Sequence, residues 1–95
     1  MRLTQFEIDA IKSSFKKIYH EGKLYVFGSR LDDNEKGGDI DLYLCPEQNG
    51  ESSLKKRQFL VDLKQKIGDQ KIDVILSRDS NRYIEKDALS RGVEL

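Results

Sequence analysis

Two short segments in which aliphatic and acidic residues alternate constrain the fold more than any other feature of the chain. The first runs from Asp39 to Leu44 and the second from Lys71 to Ser77. Successive side chains of a β-strand point to opposite faces of the sheet, so this period of two predicts two strands. Each strand would place aliphatic side chains on one face of a sheet and aspartates on the other.

Three aspartates share the polar face of these predicted strands, namely Asp39, Asp41 and Asp73. Positions i and i+2 of a strand lie about 6.6 Å apart and neighbouring strands about 4.8 Å apart, so the three carboxylates can converge. Clustered carboxylates raise one another's pKa unless a cation neutralises them, and oxygen ligands suit Mg²⁺ or Mn²⁺. The cluster predicts a divalent metal site.

An earlier apolar run over 24–27 predicts a third strand, which stops at Gly28, Ser29 and Arg30. A glycine after a strand lets the backbone approach a phosphate, and the following N–H groups and the serine hydroxyl can donate to it. The guanidinium group of Arg30 is always charged and can donate two parallel hydrogen bonds to a phosphate. Because Mg²⁺ prefers one or two carboxylates together with substrate phosphates, a nucleoside triphosphate is the expected second ligand of the metal.

Helical periodicity occupies three further segments of the chain. The first helix is expected to begin at Thr4 with a capping box. The second is expected from Ser52 or Ser53 to about Ile67, and a final helix is expected over 83–91. The apolar residues expected to face a sheet are Ile8, Ile11, Phe15, Ile18, Leu60, Leu63, Ile67, Ala88 and Leu89.

These elements predict one mixed α/β (α+β) domain over residues 1–95. It would have a small sheet of three or more strands, helices on one face and the carboxylates on the other. Strand order and direction do not follow from the pattern. An open sheet edge and an uncovered face would favour a homo-oligomer or a helical partner protein.

Composition limits the partners and the compartment. The 17 basic residues balance the 17 acidic ones, so no net charge attracts the chain to nucleic acid or to a membrane surface. No apolar run is long enough to span a bilayer, and a cytoplasmic location is expected. With Cys45 as the single cysteine and His20 as the single histidine, an internal disulfide and a structural zinc site are excluded.

Taken together, the Gly-Ser pair at 28–29, nine intervening residues and the run Asp-Ile-Asp-Leu at 39–42 resemble a known signature. They are similar to the minimal nucleotidyltransferase domains of the DNA polymerase beta superfamily. The resemblance covers about 23–76, and the glycines at 37–38 within this range are also typical of many members. It departs from many relatives over 31–35, which is acidic where a second basic residue is common.

The resemblance implies a polymerase beta-like nucleotidyltransferase fold and a set of roles. Asp39 and Asp41 would hold two divalent ions, Mg²⁺ or Mn²⁺, and Asp73 would complete the metal site and help to activate the acceptor. Gly28 and Ser29 would bind the triphosphate. The implied reaction transfers a nucleotide, AMP if ATP is the donor, to a hydroxyl group with loss of pyrophosphate.

The resemblance also bears on the acceptor. Domains of this size are similar to the nucleotidyltransferase halves of two-gene, toxin–antitoxin-like modules, whose partner is a small helical HEPN-type or substrate-binding protein. A hydroxyl of such a partner is therefore the leading acceptor, with a small molecule or an RNA end as alternatives. Composition gives RNA no support.

Two other hypotheses stay open at this point. The domain could be a non-catalytic, antitoxin-like subunit that acts by docking and retains a vestigial metal site. It could also be a small α/β domain whose polar sheet face is simply solvated, since short motif matches carry a false-positive risk.

Overall fold

The computed structural model describes residues 3–28, 39–47, 52–77 and 91–95. In these ranges the chain forms α1 (Gln5–Tyr19), β1 (Gly22–Phe27), β2 (Ile40–Pro46), α2 (Ser52–Ile67), β3 (Ile72–Leu76) and β4 (Val93–Glu94). Neither of these two helices is long and apolar enough to cross a membrane. The final helix expected over 83–91 falls, apart from its last residue, outside the described residues.

The four strands form one mixed sheet in the order β3-β2-β1-β4. The central strand β2 pairs with β1 in antiparallel and with β3 in parallel orientation, and β4 pairs antiparallel with β1. The mixed α/β architecture predicted from the sequence is confirmed, and it agrees with a polymerase beta-like fold. Because β2 and β3 are neighbours, the residues predicted on their polar faces lie side by side.

The first helix begins and ends as its sequence predicts. The Thr4 hydroxyl accepts a hydrogen bond from the Glu7 N–H at 3.1 Å, and the Glu7 carboxylate accepts one from the Thr4 N–H at 3.0 Å. This reciprocal capping box satisfies two donors that a helix start leaves unpaired. At the other end, the His20 N–H donates a last helical hydrogen bond to the Lys16 carbonyl at 3.0 Å, and the φ of 71° at His20 stops the helix.

The core lies between the helix pair and one face of the sheet. The buried residues that form it are Ala10, Ile11, Phe15, Tyr19, Leu24, Val26, Ile40, Leu42, Leu44, Phe59, Leu63, Ile72 and Val74. Phe59 is fully buried, whereas Leu60 and Ile67, which were expected in the core, are only partly buried against it. Either of the adjacent apolar residues at 59–60 could face the core from α2. The larger side chain, Phe59, is the one that does so.

A polar clamp joins the two helices. Ser14 is fully buried, and its hydroxyl donates to Asp62 Oδ2 at 2.7 Å. Lys66 Nζ donates to the same oxygen at 2.8 Å, and Lys17 Nζ donates to Asp62 Oδ1 at 3.0 Å. These donors, Lys66 first, hold the pKa of Asp62 well below its ordinary range. The clamp holds α1 and α2 together as the layer that covers one face of the sheet. The carboxylates lie on the opposite face.

The face of the sheet away from the helices is less open than predicted. Tyr43 shares this face with Asp41 by strand alternation and is absent from the helix-side core, yet it is only 2% exposed. Its ring centroid lies 6.1 Å from that of Tyr25 on the neighbouring strand. The carboxylates therefore stand beside the buried Tyr43 and the half-buried Tyr25, and the expectation of an uncovered face is wrong at Tyr43.

Candidate active site

Asp41 and Asp73 are the centre of the carboxylate face. Parallel pairing of β2 with β3 sets the two residues directly opposite each other, and the negative charge of Asp73 helps to raise the pKa of Asp41. Asp41 is half-buried and Asp73 is exposed. Two adjacent carboxylates repel each other when both are ionised, and a cation beside them would relieve this repulsion.

The pKa of Asp41 is raised to about 6, first by burial and then by the negative charges of Asp73 and Asp39. The neighbouring residues account for the burial. Phe27 is the register partner of Asp41 on β1, and Tyr43 follows two residues later on the same face. This apolar setting removes water from one side of the carboxylate and makes a compensating cation favourable.

Asp39 lies close to this pair but makes a different contact. It precedes β2 by one residue, and its carboxylate Oδ2 is 3.5 Å from Lys71 Nζ. The structure thus brings Asp41 and Asp73 together, with Asp39 beside them and turned toward a lysine. Among the residues that the structure describes, no group of three or more acidic, histidine or cysteine side chains is arranged to hold a metal ion.

Gly28 directly follows β1 and abuts Asp41. Its φ is 81°, a conformation that side chains rarely adopt. A Cβ at this position would lie 3.1 Å from Asp41 Cγ and would overlap Oδ2. The absence of a side chain therefore lets the backbone of Gly28 contact the carboxylate. Ser29 and Arg30, the other predicted phosphate ligands, lie outside the described residues.

Lys71 is the site residue that the sequence pattern of acids did not reveal. Its positive charge acts on Asp41 as well as Asp39 and works against the rise in the pKa of Asp41. The signal was present in the sequence, because Lys71 precedes Asp73 by two positions and alternation puts both on one face. Lys71 was missed because only the acidic residues on this face were considered as site residues.

The donor set of the site suits a hard divalent cation. The groups that meet are carboxylates, and such oxygens are the ligands favoured by Mg²⁺ and Mn²⁺. The oxygen ligands of Asp41 and Asp73 therefore suit a metal ion of this class, although the described side chains do not form a group of three around one point.

Comparison with known proteins identifies a family for this chain. No curated protein matches the chain. The sequence model of the family described as polymerase beta, nucleotidyltransferase, matches residues 9–95. The matched range includes most of α1 and every later helix and strand described above, so it covers both strands of the carboxylate pair. The chain therefore belongs to the polymerase beta nucleotidyltransferase family.

Proposed function

We propose that the protein transfers AMP from ATP to a hydroxyl group in a reaction that depends on Mg²⁺ or Mn²⁺. The observation that carries the proposal is the direct pairing of Asp41 with Asp73 beside the backbone of Gly28. The two carboxylates repel each other and can bind a cation. The adjacent backbone of Gly28 can approach a phosphate. Membership of a nucleotidyltransferase family supports the same pairing of ligands.

Asp39, Asp41 and Asp73 are the residues that would hold the metal. Bound divalent cations would neutralise the triphosphate and lower the pKa of the acceptor hydroxyl, as in two-metal sites. Asp41 is the less exposed member of the pair, with Asp39 two residues before it and Asp73 opposite it, so Asp41 would hold the metal together with both of them. The turn at 28–30 would bind the triphosphate through its N–H groups, the serine hydroxyl and the arginine.

Asp73 is the proposed general base. Its side chain is exposed, so an incoming hydroxyl can reach it without entering the protein. The hydroxyl oxygen forms a bond to the α-phosphorus, the bond to pyrophosphate breaks, and the hydroxyl proton passes to Asp73. A base at the rim of the site is compatible with an acceptor that is carried on another protein.

For the acceptor we propose a hydroxyl of a small helical partner protein, of HEPN type, from a toxin–antitoxin-like pair. The support is the exposed position of Asp73 and the likeness of the Gly-Ser and Asp-Ile-Asp-Leu runs to the small members of such modules. If the acceptor were a small molecule, we would expect an enclosed cleft for it above the carboxylates. A partner protein would form at least part of that cleft.

The test is mass spectrometry of the full chain and the product of the neighbouring gene after incubation with ATP and Mg²⁺. We expect the partner to gain the mass of AMP. Asp41→Asn should lower the rate by at least ~10²-fold, the effect of losing one preorganised electrostatic group. Asp9→Asn is the matched control, since Asp9 lies on α1 and contacts Gln5 instead of the site. Equal rates in both variants would contradict the proposal.

One observation favours a second candidate, a non-catalytic subunit that docks to its partner. Asp39 pairs with Lys71 and only two of the three acids meet directly. Calorimetry separates the two functions, because a docking subunit with a vestigial site binds the partner but neither Mn²⁺ nor ATP. Binding of Mn²⁺ and ATP that is lost in Asp41→Asn would favour the enzyme.

A further inference from the structure

Lys71 faces Asp39 at the point where β2 and β3 begin to pair. Its Nζ lies 3.5 Å from Asp39 Oδ2, and its backbone carbonyl accepts a hydrogen bond from the Ile40 N–H at 3.1 Å. Two positions further along the same face, Asp73 meets Asp41. The site is therefore built as two adjacent rows, one an ion pair and the other a pair of like charges.

The ion pair of Lys71 with Asp39 contributes little to the fold. The lysine side chain is 77% exposed and the aspartate side chain 34% exposed. Exposed pairs of this kind contribute weakly to stability because both charges remain hydrated. The effect of the lysine is instead local, since its charge opposes the accumulation of negative charge at Asp39 and Asp41.

A divalent ion bound at the carboxylates would neutralise them in place of the lysine. The ion and the ammonium group would then repel each other, and both would compete for the oxygens of Asp39. The lysine has a flexible four-carbon stem, so its charged end can leave while its backbone stays paired with β2. Anionic phosphate oxygens, which arrive with a nucleotide, are the complementary group for the released ammonium.

We propose that Lys71 is an exchangeable counter-cation of the site. It neutralises Asp39 in the metal-free protein, leaves Asp39 when a divalent ion binds, and then contacts an anionic oxygen of a polyphosphate substrate. The ion pair of Lys71 with Asp39 is a feature of the structure. The divalent ion that displaces it, and the identity of the polyphosphate as a nucleoside triphosphate, rest on the proposed function.

The experiment measures Mn²⁺ binding by calorimetry in the full chain, and then ATP binding at saturating Mn²⁺. Lys71→Met removes the competing charge and should raise the affinity for Mn²⁺ by on the order of tenfold. The same variant should lower the affinity for ATP by about tenfold, because a charge-assisted hydrogen bond to phosphate is lost. Lys71→Arg keeps the charge and should restore both affinities to near the wild-type values.

Lys23→Met is the matched control, because Lys23 is an exposed lysine on the same sheet, at the far end of β1 from Gly28. It should leave both affinities unchanged. The proposal is overturned if Lys71→Met binds Mn²⁺ no more tightly than Lys23→Met does, or if wild-type protein binds no Mn²⁺. Binding that responds to Lys71 as described, without any transfer of AMP, would support the exchange and count against the proposed function alone.

Discussion

The backbone of Gly28 lies against the carboxylate of Asp41, on the side where a side chain would otherwise stand. Gly28→Ala should displace this carboxylate, since rotation of Asp41 is the easiest way to relieve the overlap. We expect the affinity for Mn²⁺ to fall by roughly 10- to 100-fold, on the order seen when a metal ligand loses its supporting contact. Calorimetric titration of the full chain with Mn²⁺ measures the change.

Gly68→Ala is the control for backbone strain. Gly68 has a φ of 91°, and no atom lies within 4 Å of the position that a Cβ would occupy, so alanine there meets strain but no neighbour. Both variants should lose roughly 1–2 kcal/mol of unfolding free energy through the left-handed conformation. Only Gly28→Ala should lose affinity for Mn²⁺. Equal Mn²⁺ binding in the two variants would show that the contact with Asp41 does not position the carboxylate.

Asp41→Asn should stabilise the metal-free protein at neutral pH. The pKa of Asp41 is raised from 3.8 to about 6, so its protonated form favours the fold. Stability from this group is complete below the unfolded-state value of 3.8 and is lost as the pH rises through about 6. The asparagine cannot ionise, and it should add about 1 kcal/mol at pH values above ~7 after allowance for solvent screening.

Urea unfolding of both proteins in a chelating buffer, on either side of this pH window, checks the prediction. The wild-type and Asp41→Asn curves should approach each other at the acidic end and separate at the alkaline end. Added Mn²⁺ should reverse the order, because only the wild type gains the free energy of metal binding. A variant that is less stable than the wild type in chelator at every pH would contradict the prediction.

The sequence pattern predicted which face Asp41 and Asp73 occupy, because strand alternation is a local property. It did not predict that they are register partners, which depends on β2 and β3 being parallel neighbours. The same pattern predicted that this strand begins at Asp39, one residue before the observed start of β2. Asp39 lies before β2, since the first hydrogen bond of the ladder is donated by the Ile40 N–H.

Elements that depend on distant partners were missed for a physical reason. The strand β4 has two residues, Val93–Glu94, too few to produce an alternating pattern, and it forms because the edge of β1 offers unpaired backbone groups. The hydrogen bond of Ser14 with Asp62 joins residues 48 positions apart. Nothing in either local sequence indicates the partner, so a buried serine looks like any small helix residue.

Asp62→Ala should destabilise the fold by about 1–3 kcal/mol, because it leaves the buried hydroxyl of Ser14 without its acceptor. Ser14→Ala in the same background should then cost less than it does in the wild type, and a double-mutant cycle in urea measures this coupling. The low pKa of Asp62 means that its contribution is present above pH 3.8 and is lost as the pH falls below that value. Additive effects would contradict the clamp.

Binding of Mn²⁺ provides a second check on the clamp. Asp62 lies between the two helices, on the opposite side of the sheet from Asp41. At temperatures where Asp62→Ala is folded, its affinity for Mn²⁺ should equal that of the wild type. A reduced affinity would mean that the helix layer positions the carboxylate pair as well as stabilising the fold.

The hydroxyl of Tyr19 is buried and has no hydrogen-bond partner among the described residues. The ring itself packs well, with centroids 5.3 Å from Phe15 and 6.2 Å from Phe59, and the residue is only 5% exposed. Tyr19→Phe keeps these ring contacts and removes the unpaired polar atom. It should therefore raise the free energy of unfolding by about 1 kcal/mol, since a buried unsatisfied hydroxyl carries a desolvation cost.

Urea unfolding with an unchanged m-value measures this gain, because the variant exposes the same surface on unfolding. Tyr19→Leu is the comparison that removes the ring contacts together with the hydroxyl, and it should lose stability. If Tyr19→Phe also loses stability, the hydroxyl has a partner in solution, such as a buried water molecule. A gain in Tyr19→Phe with a loss in Tyr19→Leu assigns the stabilising role to the aromatic ring alone.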